Sequence, residues 1–218
     1  MSIQTEILTK IKQYNTIIIH RHKRPDPDAI GSQMGLASIL KASFPGKTIL
    51  CAGKNFDSFK WLGTADDISD DQYKDALVIV VDTANQPRVD DDRYTKGKAL
   101  IKIDHHPNDD QFGDLMWVMP EASSTSELIF DFFDMFRCEL TLPDDGARVL
   151  YAGIVGDTGR FMYPSTSAHT FEVAAKLADF NFSPSDVNQK EDEIDLPLAR
   201  SCFPVRKISF STSSWKFS

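Results

Sequence analysis

Residues 20–32 read His-Arg-His-Lys-Arg-Pro-Asp-Pro-Asp-Ala-Ile-Gly-Ser. Three more polar clusters follow apolar runs: Val81-Asp82-Thr83, Asp104-His105-His106 and Gly156-Asp157-Thr158. Two imidazoles and four carboxylates presented from the ends of strands are what a pair of hard divalent cations requires. The chemistry this predicts is metal-assisted hydrolysis of a phosphoester.

Elements that present such ligands can be read between the clusters. Thr16 to His20, Ala76 to Val81 and Ala99 to Ile103 are short apolar runs, each ending at a polar cluster and separated from the next by helical or loop patterns. Such runs predict strands buried on both faces of a parallel sheet, hence an α/β fold with helices flanking a mostly parallel sheet. Ligands of open α/β sheets bind beyond the carboxyl ends of the strands, so the clusters should converge there.

In the first cluster the spacing is His22-x3-Asp26-x-Asp28, with Pro25 and Pro27 interleaved. Proline fixes its own φ and biases the preceding residue towards extended backbone, which predicts a stiff loop with Asp26 and Asp28 both extended, each able to serve a different metal. A helix is expected from Ala29 through about Lys41, its N-terminus favouring anions. Asp82 ends the most hydrophobic strand, where a carboxylate is costly unless paired or metal-bound, and it is the natural bridging ligand. Asp157 follows Val149 to Val155, read as a buried helix ending near Gly156 and Gly159. Any one of these aspartates alone would be an ordinary turn or cap residue; together they form a pattern.

Of five histidines, His20, His22, His105 and His106 lie in the clusters, while His169 stands alone in a helical pattern and reads as a surface residue. Neighbours on an extended segment point to opposite sides, so only one of His105 and His106 is expected to reach a given metal.

The order His-x3-Asp-x-Asp, strand-end Asp, Asp-His-His and Gly-x-x-Gly-Asp-Thr-Gly resembles the DHH phosphoesterase superfamily. The wording of residues 20–33 and of Gly156-Asp157-Thr158-Gly159-Arg160-Phe161 is most similar to its bacterial nanoRNase branch, bifunctional oligoribonuclease and 3′-phosphoadenosine-5′-phosphate (pAp) phosphatases. The resemblance covers about residues 1–200. It implies one metal held by His22, Asp26 and Asp82 and a second held by Asp28, Asp82, His105 and Asp157, with manganese the usual ion. It also implies that Asp104 supports the histidine pair and that His106 faces the scissile phosphate. The chemistry expected of two such cations is acidification of water for in-line attack on phosphorus, which would need no covalent enzyme intermediate.

Two further residues are weighed as phosphate contacts. Ser124-x-x-Glu127 ahead of an apolar pattern is a capping-box signature, and its ordinary reading is a helix cap; a phosphate-contacting helix terminus is the other. Arg160, just after Asp157, is equally a phosphate ligand or a surface arginine beyond a helix end.

The 218 residues, 41% hydrophobic, suffice for one good α/β core. No apolar run approaches a membrane span, and the N-terminus lacks a signal-peptide pattern. Cys51, Cys138 and Cys202 share no metal or redox spacing, which fits a reducing cytoplasm. A net charge of −8 argues against binding long duplex nucleic acid, which relies on many basic contacts, but leaves short single-stranded RNA and small nucleotides as substrates. Monomer and homodimer are both left open.

Residues 1–200 read as one DHH phosphoesterase domain. Residues 201–218 hold six serines and no acidic residue, and are expected to form a poorly ordered or atypical tail. Relatives of this kind continue into a second domain carrying a Gly-Gly-Gly-His motif, which this chain lacks; the resemblance thus reaches the catalytic domain only, and activity would be reduced without the remote contacts. Two alternatives stand beside the main reading: a phosphodiesterase acting on cyclic di-AMP or pApA, and a metal-binding remnant acting as an interaction module.

Overall fold

The computed structural model describes residues 1–202, with side chains described through residue 193. Its elements are α1 (Ile3–Gln13), β1 (Thr16–His20), α2 (Pro27–Ser43), β2 (Thr48–Cys51), β3 (Leu77–Val81), β4 (Ala99–Asp104), β5 (Leu115–Val118), α3 (Thr125–Met135), α4 (Asp144–Asp157), α5 (Ala168–Ala178) and α6 (Pro184–Cys202). The sheet has five strands, all parallel, in the order β2-β1-β3-β4-β5. The tail expected over 201–218 lies outside the described residues, apart from the two that close α6.

Alternation along the strands builds two unequal apolar layers. Ile17, Ile19, Leu77, Ile79, Val81, Ile101 and Ile103 face the main core with Ile7, Ile11, Leu36, Ile39, Phe132, Leu150 and Ile154 from the helices. Ile18, Val78 and Val80 face a smaller core closed by Tyr73, Tyr94, Phe112 and other residues of the connecting segments. Helices therefore pack mainly on one face, while short 3-10 turns such as Asp70–Tyr73 and Asp92–Lys96 lie against the other.

The chain leaves β1 towards β2 on one side and returns to place β3 on the other, so the order reverses between β1 and β3. A crevice opens where two crossovers diverge in this way. His22 leaves the end of β1 and Asp82 the end of β3, which puts both at that point.

Helices α2 and α4 meet closely because glycine stands at the contact. A Cβ on Gly31 would lie 2.5 Å from the Val149 carbonyl oxygen, and one on Gly153 would lie 2.0 Å from Ser126 Oγ and 2.9 Å from Asp28 Oδ1. That approach brings α4, and Asp157 at its end, against the first turn of α2 and the start of α3.

One expectation about the proline loop is corrected. Asp26 is extended (φ −103°, ψ −177°), but α2 begins at Pro27 and Asp28 is already helical. Proline is well suited to the first helical position, where its missing N–H is no loss. Asp26 is the N-cap, accepting the Ala29 N–H at 2.9 Å.

Candidate metal centre

Asp82 sits at the centre of the site, 1% exposed, with its backbone in the left-handed region (φ 46°). Aspartate tolerates that conformation better than most residues, and the turn swings the carboxylate over the strand ends. Thr125 Oγ1 donates to its Oδ1 at 3.2 Å. Around it stand His22 Nε2 at 3.4 Å, His105 Nε2 at 3.5 Å and His106 Nδ1 at 3.6 Å.

Two groups of donors meet at this carboxylate. His22 Nε2 also lies 3.3 Å from Asp26 Oδ2. On the other side His105 Nε2 lies 3.1 Å from Asp157 Oδ2 and 3.9 Å from Asp28 Oδ2. Ligand atoms of His22, Asp26 and Asp82 lie within 4.8 Å of one another, as do those of Asp28, His105 and Asp157 and those of Asp82, His105 and His106.

Each imidazole is oriented through its other nitrogen. His22 Nδ1 lies 2.9 Å from the Lys23 carbonyl oxygen and His105 Nδ1 lies 3.3 Å from that of Ala122. Nδ1–H donates to each carbonyl, so in the neutral ring the Nε2 lone pair faces the carboxylates; backbone carbonyls commonly orient metal-binding imidazoles this way. His105 Nε2 is buried yet makes no well-formed hydrogen bond.

The cluster is strained electrostatically without a cation. Burial, then Asp82 and Asp157, push the Asp28 carboxyl well above its ordinary pKa. Burial also raises that of Asp157, against the attraction of the nearby His105 ring. Burial would lower the pKa of His22, but its bonds to Asp26 and Asp82 outweigh this and raise it to about 10. His105 is likewise raised to about 10 by Asp157, Asp28 and Asp82 against its burial. Crowded carboxylates that hold protons on two imidazoles, together with an orphaned buried imidazole nitrogen, are the donor set a divalent cation would satisfy.

Asp104 stands behind the cluster, fully buried, its Oδ1 accepting from His106 Nδ1 at 2.8 Å. Burial opposes its ionisation, but His106 and then Lys102 hold its pKa below the ordinary carboxylate value. Lys102 is itself fully buried, 3.4 Å from Asp104 Oδ2, and donates to the Ala84 carbonyl and Asn108 Oδ1. This lysine, on the strand leading to Asp-His-His, is missing from the sequence reading, where a charged residue in an apolar run was the available signal.

His105 and His106 do not point to opposite sides, as strand alternation would place them. Both rings lie against Asp82, edge to face with centroids 4.6 Å apart. Strand β4 ends at Asp104, so the two histidines belong to a turn to which strand alternation does not apply.

The remaining sequence candidates fall outside the cluster. Ser124 is the N-cap of α3 and is fully buried, accepting the Glu127 N–H at 3.0 Å. The box does not close, because Glu127 reaches Ser123 instead. The groups of α3 that face the site are the next two N–H groups: Thr125 donates to Asp28 Oδ2 at 2.7 Å and Ser126 to Asp28 Oδ1 at 2.8 Å. Arg160 has left-handed backbone (φ 59°) and pairs with Asp192 of α6. His20 turns to the other face of the sheet and meets Tyr73 Oη at 3.1 Å. His169 pairs with Asp131 on the surface.

Known proteins share this architecture and sequence. Residues 16–154 match the model described as DHH family, N-terminal domain. The chain is 52% identical over 194 residues to the "Probable bifunctional oligoribonuclease and PAP phosphatase NrnA" of Streptococcus mutans, covering 89% of this chain and 62% of that protein. It is 47% identical over 211 residues to the "Bifunctional oligoribonuclease and PAP phosphatase NrnA" of Bacillus subtilis, covering 96% of this chain and 67% of that one. A crystal structure of an exopolyphosphatase-related protein from Bacteroides fragilis superposes with a TM-score of 0.76 at 26% identity, over 87% of this chain and 59% of that one. This chain thus spans about two thirds of the length of these two relatives, and it belongs to the DHH family.

Proposed function

We propose that this protein is a two-metal phosphoesterase that hydrolyses small nucleotides, short oligoribonucleotides and 3′-phosphoadenosine-5′-phosphate, with manganese as its ion. The observation that carries this reading is the convergence of His22 and Asp26 on one side of Asp82, and of Asp28, His105 and Asp157 on the other. Two relatives named as oligoribonuclease and PAP phosphatase support the substrate class.

In this reading His22, Asp26 and Asp82 would hold one cation, and Asp28, Asp82, His105 and Asp157 would hold the other. When bound, the cations acidify water and offset charge on the phosphoryl oxygens. The protein's own groups do the positioning. Asp28 is fixed by two N–H donors of α3, and Asp82 by Thr125. Asp104 holds the Nδ1–H of His106, directing Nε2 of that one-third-exposed ring outwards, where it can meet the phosphate. Among the described residues no helix is long and apolar enough to cross a membrane, and a cytoplasmic site of action is part of the proposal. So is the division into a DHH domain through about residue 200 and a separate tail.

The test is hydrolysis of pAp, a short RNA and pApA with and without Mn²⁺, followed by product analysis. Cation-dependent release of phosphate from pAp and of mononucleotides from RNA is expected. A preference for pApA above both would favour the phosphodiesterase alternative, and no turnover of any of the three would overturn the reading.

A further inference from the structure

We propose that Arg88 is a substrate-phosphate ligand, placed at the rim of the centre on the His22 side. The inference rests on the phosphoesterase reading above and deepens it.

Arg88 closes the short turn Gln86–Arg88 that follows Asp82, and it is exposed. Its Nη2 lies 3.5 Å from His22 Nδ1. That nitrogen carries the hydrogen donated to the Lys23 carbonyl, so two donors face each other and no hydrogen bond forms between the side chains. Among the described residues the Arg88 side chain makes no ion pair and no hydrogen bond to an acceptor, and its exposed guanidinium fork stands beside His22.

The position is held by the backbone. Lys23 N–H donates to the Arg88 carbonyl at 2.8 Å, Asp90 N–H donates to the Arg21 carbonyl at 3.0 Å, and His22 and Val89 form an antiparallel bridge between them. Buried Arg21 pairs with Asp90 at 3.3 Å and pins the same segment from behind. A guanidinium on a fixed backbone loses less freedom on binding than one on a loose loop.

Charge balance says what it would bind. Ionised Asp26, Asp28, Asp82 and Asp157 are cancelled by two divalent cations and no more, and buried Lys102 is cancelled by Asp104. A phosphoryl group entering this neutral centre brings negative charge that needs a further cation. Arg88 supplies one as a planar fork suited to two phosphoryl oxygens. A phosphomonoester dianion should depend on it more than a diester monoanion.

The experiment uses the Mn²⁺-loaded protein and its Arg88→Ala and Arg88→Lys variants. One readout is the thermal shift produced by inorganic phosphate, which needs no turnover; the other is kcat/KM on pAp and on bis-p-nitrophenyl phosphate. Arg88→Ala should lose the phosphate-induced shift and drop in kcat/KM on pAp by roughly 10- to 100-fold, with a smaller loss on the diester. Arg88→Lys should recover part of both, and Mn²⁺ stoichiometry should match wild type. An unchanged shift and unchanged kcat/KM in Arg88→Ala, with an active wild type, would overturn the role of Arg88 alone. A wild type that neither turns over these compounds nor is stabilised by phosphate would overturn the functional reading and the inference together. A wild type that binds phosphate through Arg88 without turnover would uphold the inference and sink only the reading.

Discussion

The carboxylate of Asp28 and the backbone of Thr125 are joined across 97 residues of sequence by a 2.7 Å hydrogen bond. The next N–H, of Ser126, binds the other carboxylate oxygen at 2.8 Å. One side chain thus caps the start of α3 and faces His105 and Asp157, so helix packing and candidate metal ligation share an atom pair.

That sharing separates Asp28 from Asp157. In EDTA, Asp28→Ala should destabilise the fold by about 1–3 kcal/mol, because two buried N–H groups lose their acceptor, an effect larger than the relief of carboxylate crowding. Asp157→Asn removes one charge from the same crowd without orphaning a backbone donor, so its melting temperature should fall less than that of Asp28→Ala. Both should be inactive with Mn²⁺. Equal melting temperatures for the two variants would contradict the assignment.

Asp82 should be required for activity and replaceable for folding. Its left-handed backbone is tolerated by asparagine, so Asp82→Asn should keep the wild-type circular dichroism spectrum. Loss of the shared ligand should lower kcat/KM by at least ~10³-fold, equivalent to several kcal/mol of transition-state stabilisation. His105→Ala should behave similarly. Activity near wild type in either variant at saturating Mn²⁺ would show that the ligand assignment is wrong.

Cation binding should release protons. His22 and His105, both raised to about 10, are protonated at neutral pH in the cation-free site, and only neutral imidazole can ligate. The cation competes with these protons, so apparent Mn²⁺ affinity should rise with pH across 6 to 8 and continue rising towards 10. Titration calorimetry in buffers of different ionisation enthalpy reads the proton count directly. Affinity independent of pH over that range would rule out these two histidines as ligands.

The contact between α2 and α4 should tolerate no methyl group. A Gly31→Ala side chain would press on the backbone oxygen of Val149, which cannot rotate away, and overpacking of this kind costs about 1–3 kcal/mol. Urea unfolding should show the loss, and activity should fall with it because the shift moves Asp157 relative to Asp28. A midpoint matching wild type would mean that the helices slide apart freely.

The two described cysteines should differ in reactivity. Burial pushes the Cys51 thiol up to about 12, whereas Cys138 is exposed. Alkylation of the native protein at pH 8, followed by peptide mapping, should modify Cys138 and spare Cys51, since the thiolate is the nucleophile. Equal labelling would indicate that β2 opens readily.

Much of the site was legible in the chain because strand ends and polar clusters are local features. Apart from Lys102, the runs before His20, Asp82 and Asp104 are apolar and rich in β-branched residues, and burial on both faces leaves little but a strand for them. The buried helix before Asp157 shows in the same kind of apolar run, Val149 to Val155. Short edge strands β2 and β5 left weaker traces: Thr48–Cys51 and Leu115–Val118 are four residues each, too short for a period to declare itself.

Tertiary structure decided the rest. That Asp28 begins a helix and receives two N–H groups of α3 depends on how α3 docks, and no local pattern near residue 28 records it. The common side of His105 and His106 depends on where β4 stops, and the place of Arg88 beside His22 on an antiparallel bridge between two loops. Sequence patterns carry which residues are polar and how they are spaced along one element. The distances between elements come from packing, and at this site packing chose which nitrogen faces a carboxylate and which faces a carbonyl.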